Sequence, residues 1–197
     1  MVKVGITGGI GSGKTAFCDI FQNHGAYVLN ADDLAKKMMV EDPAIKKELV
    51  ETFGSDSYKE DGSLNREYLA EQAFKNERVE ELNRIVHPRI PSTAEKVMQK
   101  AEREGHEVFV YEAALLLQNL RPEHLDYVIL LLADEDKRIQ RVQERDSVNK
   151  ELVVDRMQQQ QNFEELTHLA DIVIENNGTL EELEEKAERV YYDILTG

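Results

Sequence analysis

Little in this chain of 197 residues could staple it covalently or anchor it in lipid. Its one cysteine, Cys18, cannot form an intrachain disulfide, so the fold must rest on a hydrophobic core, for which 41% apolar residues suffice. Cys18 sits in a helical apolar pattern and reads as a small core residue, and the lack of a cysteine pair fits a reducing compartment. Long apolar runs are missing too: the longest, Tyr127 to Ala133, is far short of the roughly 20 residues of a membrane span. The opening MVKVGIT has neither the apolar stretch nor the cleavage site of a secretory signal and reads as a strand. Basic charge is scarce. With 24 Lys and Arg against 39 Asp and Glu, the formal net charge of −15 argues against general affinity for DNA, RNA or an anionic membrane. These absences describe a cytoplasmic protein in which an anionic substrate needs a local basic pocket.

What is present is alternation. Five short apolar or β-branched runs, Val2 to Thr7, Tyr27 to Asn30, Val108 to Tyr111, Tyr127 to Ala133 and Asp171 to Glu175, read as strands, most of them continuous enough to be buried on both faces. Helical patterns lie between them: Ala16, Phe17, Ile20 and Phe21 up to a stop at Gly25, and a final helix opened by a Thr179–Glu182 capping box. The pattern predicts an α/β fold with a five-stranded parallel sheet and helices on both faces. Residues 33–105 break the alternation with charged amphipathic helix, a turn at Asp61-Gly62 and prolines at Pro88 and Pro91, and read as a helical insertion. Residues 134–163 form a second helical stretch, leaving 1–32, 106–133 and 164–197 as the core.

The segment GITGGIGSGKTAF, residues 5–17, packs five glycines into nine positions, which only a close approach to the backbone justifies. Gly8, Gly13, Lys14 and Thr15 satisfy GxxxxGK[ST] between a strand and an apolar-periodic helix. That pattern is built for a nucleoside triphosphate. Backbone N–H groups along Gly9, Gly11, Ser12, Gly13, Lys14, Thr15 and Ala16 turn towards phosphate oxygens at the positive end of a helix, Lys14 reaches the β and γ phosphates, and the Thr15 hydroxyl ligates Mg²⁺. A guanine-binding reading fails: VNKE at Val148 to Glu151 resembles NKxD, but Leu152 stands where the aspartate is required.

Asp32, just past the second strand, can orient an acceptor hydroxyl and take its proton, or it can cap the next helix. Glu112 ends the third strand, where an acid can hold Mg²⁺ through water or line the substrate site, or serve structure alone. Arg138, Arg141 and Arg145 fall at i, i+3 and i+7, on one helix face that can close over ATP or simply be solvated. His87, before Pro88 and Arg89, can meet an anionic acceptor or make a helix-terminal hydrogen bond. A kinase for another nucleotide or nucleoside, and a nucleotide-binding regulatory module gripping a protein partner, remain compatible with these residues.

In order, TGGIGSGKT, NADDLAKK, FGSDSYKEDGSLNREYLAEQAF, LNRIVHPRI, YEAALLL, RVQERD, RMQQQ and ADIVIENNG resemble the dephospho-CoA kinase family across almost the whole chain. The resemblance implies a P-loop NTPase core, a helical substrate-binding domain and an arginine-bearing lid. It also implies transfer of a phosphoryl group from ATP to the ribose 3′-hydroxyl of dephospho-CoA, giving CoA and ADP, by a monomer or weak homo-oligomer. By position, Lys14, Asp32 and Arg141 are its catalytic residues, Arg145 joins the ATP site, and Asp32, His87 and Glu112 meet the substrate. The chain departs from the family pattern at Asn30, where an acid is usual; at Lys36, which replaces an arginine fork with a point charge; in the turn after Glu112; at Gln118; and at Arg138, where glutamine is common.

Overall fold

The computed structural model describes residues 1–75, 78–118 and 121–197. Its parallel sheet consists of β1 (Val2–Gly8), β2 (Tyr27–Asn30), β3 (Val108–Glu112), β4 (Tyr127–Leu132) and β5 (Ile172–Glu175), in the order β2-β3-β1-β4-β5. Register runs Ile6↔Glu112 between β1 and β3, Gly8↔Leu131 between β1 and β4, and Leu132↔Glu175 between β4 and β5. Because β1 has β3 on one side and β4 on the other, its carboxyl end is the point where chain order reverses, the usual ligand crevice of an open α/β sheet.

The helices are α1 (Lys14–Asn23), α2 (Ala31–Glu41), α3 (Pro43–Phe53), α4 (Arg66–Ala70), α5 (Val79–Val86), α6 (Ile90–Arg103), α7 (Glu135–Asp146), α8 (Lys150–Gln158) and α9 (Leu180–Thr196). On one face of the sheet, Val4, Ile6, Val110, Ile129 and Leu131 pack against Phe17 and Phe21 of α1 and Leu183, Ala187 and Ile194 of α9. Cys18 lies in this core, as its helical setting predicts. On the other face Leu117, Leu125 and Val128 form a smaller cluster. Thr179 caps α9 with the expected reciprocal box, and α1 ends at Gly25, with φ 101° and the Ala26 amide donating to Phe21 O at 3.0 Å.

The chain divides into two compact units, Met1–Leu29 with Lys100–Gly197, and Asn30–Gln99. Helices α2 to α5 supply the interior of the second, with Ile45 and Leu49 fully buried and Phe53 nearly so. Asp42 caps α3 by accepting from the Ala44 and Ile45 amides at 2.8 and 3.2 Å, with Pro43 in the first turn, where its missing N–H is harmless. Asp61 closes its turn by accepting from the Ser63 amide at 2.9 Å, with Gly62 at φ 80°.

The stretch 134–163 differs from a single helical run. It breaks at Ser147, in the left-handed conformation at φ 53°, and restarts at α8 under an Asn149 cap that accepts from the Leu152 amide at 3.0 Å. The asparagine of VNKE is therefore a helix cap. Ile139 and Val142 of α7 meet Val153 of α8 in a small core that includes Ile10 of the glycine segment.

Candidate active site

The glycine segment leaves β1 as a loop and enters α1 at Lys14. Lys14 Nζ donates to Gly8 O at 2.7 Å and Gly9 O at 3.3 Å, so the ammonium is folded against the loop it serves. The glycines make room for the protein before they make room for phosphate. A Cβ at Gly13, where φ is 98°, would run into the Asn176 amide nitrogen, and one at Gly9 would stand 2.5 Å from Arg138 Nη2. Part of the close approach that the glycines imply is thus made by protein, by Asn176 and Arg138. Asn176 Nδ2 donates to Ser12 O at 2.9 Å in a buried contact, and the Ile10 amide donates to Gln160 Oε1 at 2.8 Å. Ser12 Oγ is buried with no partner among the described residues.

Two of the three stripe arginines reach the loop. Arg141 donates to Gly11 O, Asn176 Oδ1 and Gly178 O, each at 3.4 Å, long contacts that a better acceptor can replace. Arg138 donates from Nε to Ile10 O at 2.9 Å and lines a cavity of about 290 Å³ bounded by Gly9, Leu131, Glu135, Met157, Gln161 and Glu164 among others. Arg145 is turned elsewhere, its guanidinium on both oxygens of Asp146 at 2.7 and 3.0 Å, which raises its pKa and holds Asp146 below the usual carboxylate range.

Glu112 is buried at the end of β3. It neighbours Cys18, whose thiol is pushed far above its ordinary range by burial first and by the Glu112 charge second, while Lys14 pulls the other way. Thr15 is exposed at the start of α1, and among the described residues its hydroxyl has no protein partner, which fits a divalent cation beside the phosphates. No cluster of three or more His, Cys, Asp or Glu suited to a metal occurs among the described residues, so a cation here would draw most of its ligands from phosphate and water.

In the second unit, Asn30 caps α2 by accepting from the Asp33 amide at 2.9 Å, and Asp33 is paired with Lys36 at 2.7 Å. Neither acid is the cap, so that alternative for Asp32 falls. Asp32 is exposed and makes no hydrogen bond or ion pair among the described residues. His87 is exposed in a single 3₁₀ turn, His87–Arg89, where its amide makes the helix-terminal hydrogen bond considered for it, donating to Asn83 O at the end of α5, while its ring has no partner among the described residues; Arg89 is committed to both carboxylate oxygens of Glu48 and to Ile85 O.

The sequence pattern of the dephospho-CoA kinase family matches residues 2–182. Over 198 aligned positions the chain is 44% identical to dephospho-CoA kinase from Salinibacter ruber, covering 100% of both. The chain belongs to the dephospho-CoA kinase family. It is accordingly an ATP-dependent kinase, a transferase of CoA biosynthesis with a P-loop fold. Two solved structures agree in fold: dephospho-CoA kinase from Campylobacter jejuni, at 26% identity and TM-score 0.69 over 99% of this chain and 98% of that one, and a crystal structure from Thermus thermophilus, at 30% identity and TM-score 0.79 over 98% and 97%.

Around the loop of this dephospho-CoA kinase, sequence reasoning gives Asn176 and Gln160 no role and Arg138 only a place in the arginine stripe. Asn176 follows β5 directly, at the carboxyl edge where an α/β sheet keeps its ligands, and that position is the signal that could have found it. Gln160 belongs to a glutamine run that composition alone leaves without meaning. Arg138 was visible as part of the stripe, but nothing in the spacing says that it, rather than Arg145, turns towards the loop.

Proposed function

We propose that Lys14, Asp32 and Arg141 perform the transfer from ATP to the ribose 3′-hydroxyl of dephospho-CoA. The phosphates rest on the amides of the loop and on Lys14. The 3′-oxygen attacks the γ-phosphorus, the bond from phosphorus to the bridging oxygen of ADP breaks, and ADP leaves with that electron pair. The hydroxyl proton passes to the Asp32 carboxylate late, since phosphoryl transfer is mostly positioning and charge stabilisation. Arg141 exchanges its long contacts for phosphoryl oxygens, and Arg145 joins the ATP site by leaving Asp146. The Thr15 hydroxyl would hold Mg²⁺, which when bound would supply neutralisation of the phosphate charge. His87 and Glu112 meet the substrate, residues 33–105 bind it, and residues 134–163 form the lid.

The observation that carries this reading is the loop itself: glycine-lined, at the carboxyl end of the central strand, with Lys14 folded onto Gly8 and Gly9. The reaction belongs in the cytoplasm. A net charge of −15 supports small-molecule partners over nucleic acid, and no helix among the described residues is long and apolar enough to cross a membrane. The oligomeric state we propose is a monomer or weak homo-oligomer. The test is ADP release from ATP and Mg²⁺ with dephospho-CoA, AMP, adenosine or no acceptor. Stimulation confined to dephospho-CoA supports the assignment, and equal rates throughout contradict it.

A further inference from the structure

Arg138 is a half-buried cation that no ion pair among the described residues answers. Among the described residues no carboxylate lies within ion-pair distance of it; Glu135 and Glu164 act only at range, and burial outweighs them, lowering its pKa. Its hydrogen bond from Nε to Ile10 O at 2.9 Å fixes the guanidinium plane and leaves Nη1 and Nη2 without an acceptor among the described residues. Those nitrogens lie against Gly9, where they fill the space a Cβ would take. Among the described residues, Arg138 is also the one Lys, Arg or His that lines the cavity beside the loop. An unpaired guanidinium withdrawn from water is unfavourable unless an anion completes it.

Two of the loop amides on that same side are already taken. The Ile10 amide is occupied by Gln160 Oε1, and the Ser12 amide by Gly9 O at 3.1 Å. Lys14 Nζ is bonded to Gly8 O and Gly9 O. A phosphoryl group entering at Gly9 therefore meets the Arg138 fork where a loop amide would otherwise stand. A solvated charged face, the ordinary fate of such a stripe, does not describe Arg138.

We infer that Arg138 is a further phosphoryl-contacting residue of the reaction, taking the terminal phosphoryl oxygens of ATP on the Gly9 side of the loop. The inference rests on the proposed reading of the loop as the phosphate site. It predicts discrimination between nucleotides that carry a γ-phosphoryl group and those that lack one, because only the former reach this fork.

The experiment is equilibrium binding of ATP and of ADP, each with Mg²⁺ and without acceptor, to the full chain and to Arg138→Met, Arg138→Lys and Lys14→Met. For Arg138→Met, ATP affinity falls on the order of 10- to 100-fold, the scale of a charge-assisted bidentate contact, while ADP affinity stays within about twofold. Arg138→Lys recovers part of the loss, and added guanidinium restores turnover to Arg138→Ala; a brace on Ile10 O alone would weaken ATP and ADP alike. Equal weakening of ATP and ADP in Arg138→Met, or of neither, overturns the inference. Lys14→Met separates the two claims: it weakens both nucleotides if the loop holds the phosphates, and if it weakens neither, the loop reading itself fails.

Discussion

Replacing Asn176 with alanine tests how the loop is held. The side chain is 4% exposed, and its Nδ2 donates to Ser12 O at 2.9 Å inside the protein, while its Oδ1 receives Arg141 at 3.4 Å. Alanine removes the donor and leaves the Ser12 carbonyl without a partner, a loss of about 2 kcal/mol. For a chain of this size that corresponds to a fall in melting temperature of about 4–8 °C. The loss also reaches the site, because the amide is the wall against which Gly13 and the Ser12 peptide are set. If half of it appears as misplacement of the loop, kcat/KM for ATP drops about fivefold. Gly13→Ala provides a cycle: alone it suffers both the left-handed backbone at φ 98° and collision with Asn176, whereas in the Asn176→Ala background only the backbone strain remains. The two changes should therefore be less damaging together than their sum. Thermal melts and steady-state kinetics read both quantities. An Asn176→Ala protein with an unchanged melting temperature and an unchanged ATP response would refute the reasoning.

Other consequences can be checked directly. Asp32→Asn should lower kcat while sparing ATP affinity, and unchanged turnover would leave Asp32 without a chemical role. Cys18 should resist alkylation at about pH 8 in the native protein and react once denatured, since burial and the neighbouring Glu112 both disfavour its thiolate; rapid native labelling would contradict that environment. Arg145 holds the Asp146 carboxyl below its unfolded value, so the stabilisation this pair contributes is present above the ordinary carboxylate range and disappears as pH falls through the depressed value. Asp146→Asn should melt earlier than the unmodified chain at neutral pH, with the gap closing in acid; a gap that is constant with pH would place its cause elsewhere.

Where periodicity and turn chemistry act locally, the sequence is readable. β2 begins and ends where its apolar run does, and the Thr179–Glu182 box opens α9 as spacing requires. β5 starts one residue late because Asp171 is used as an acceptor, taking the Val128 amide at 2.7 Å and Arg121 at 2.8 Å. The break at Ser147 was not legible, since a left-handed residue other than glycine or asparagine carries no local mark. Asn30 shows the opposite case: read as a lost acid, it is the residue that caps α2, and its short polar side chain just before a helix is a strong signal for that role. The loop was found from its own pattern, but its support comes from residues more than a hundred positions away. No spacing rule connects Ser12 with Asn176 or Ile10 with Gln160, and only the parallel sheet brings them together.

The most direct measurement is a crystal structure with a non-hydrolysable ATP analogue and Mg²⁺. The account predicts the β and γ phosphates within hydrogen-bond distance of backbone amides along residues 9–15, with Lys14 and Arg138 on phosphoryl oxygens. A triphosphate bound away from that loop, with Lys14 still folded on Gly8 O, would contradict it.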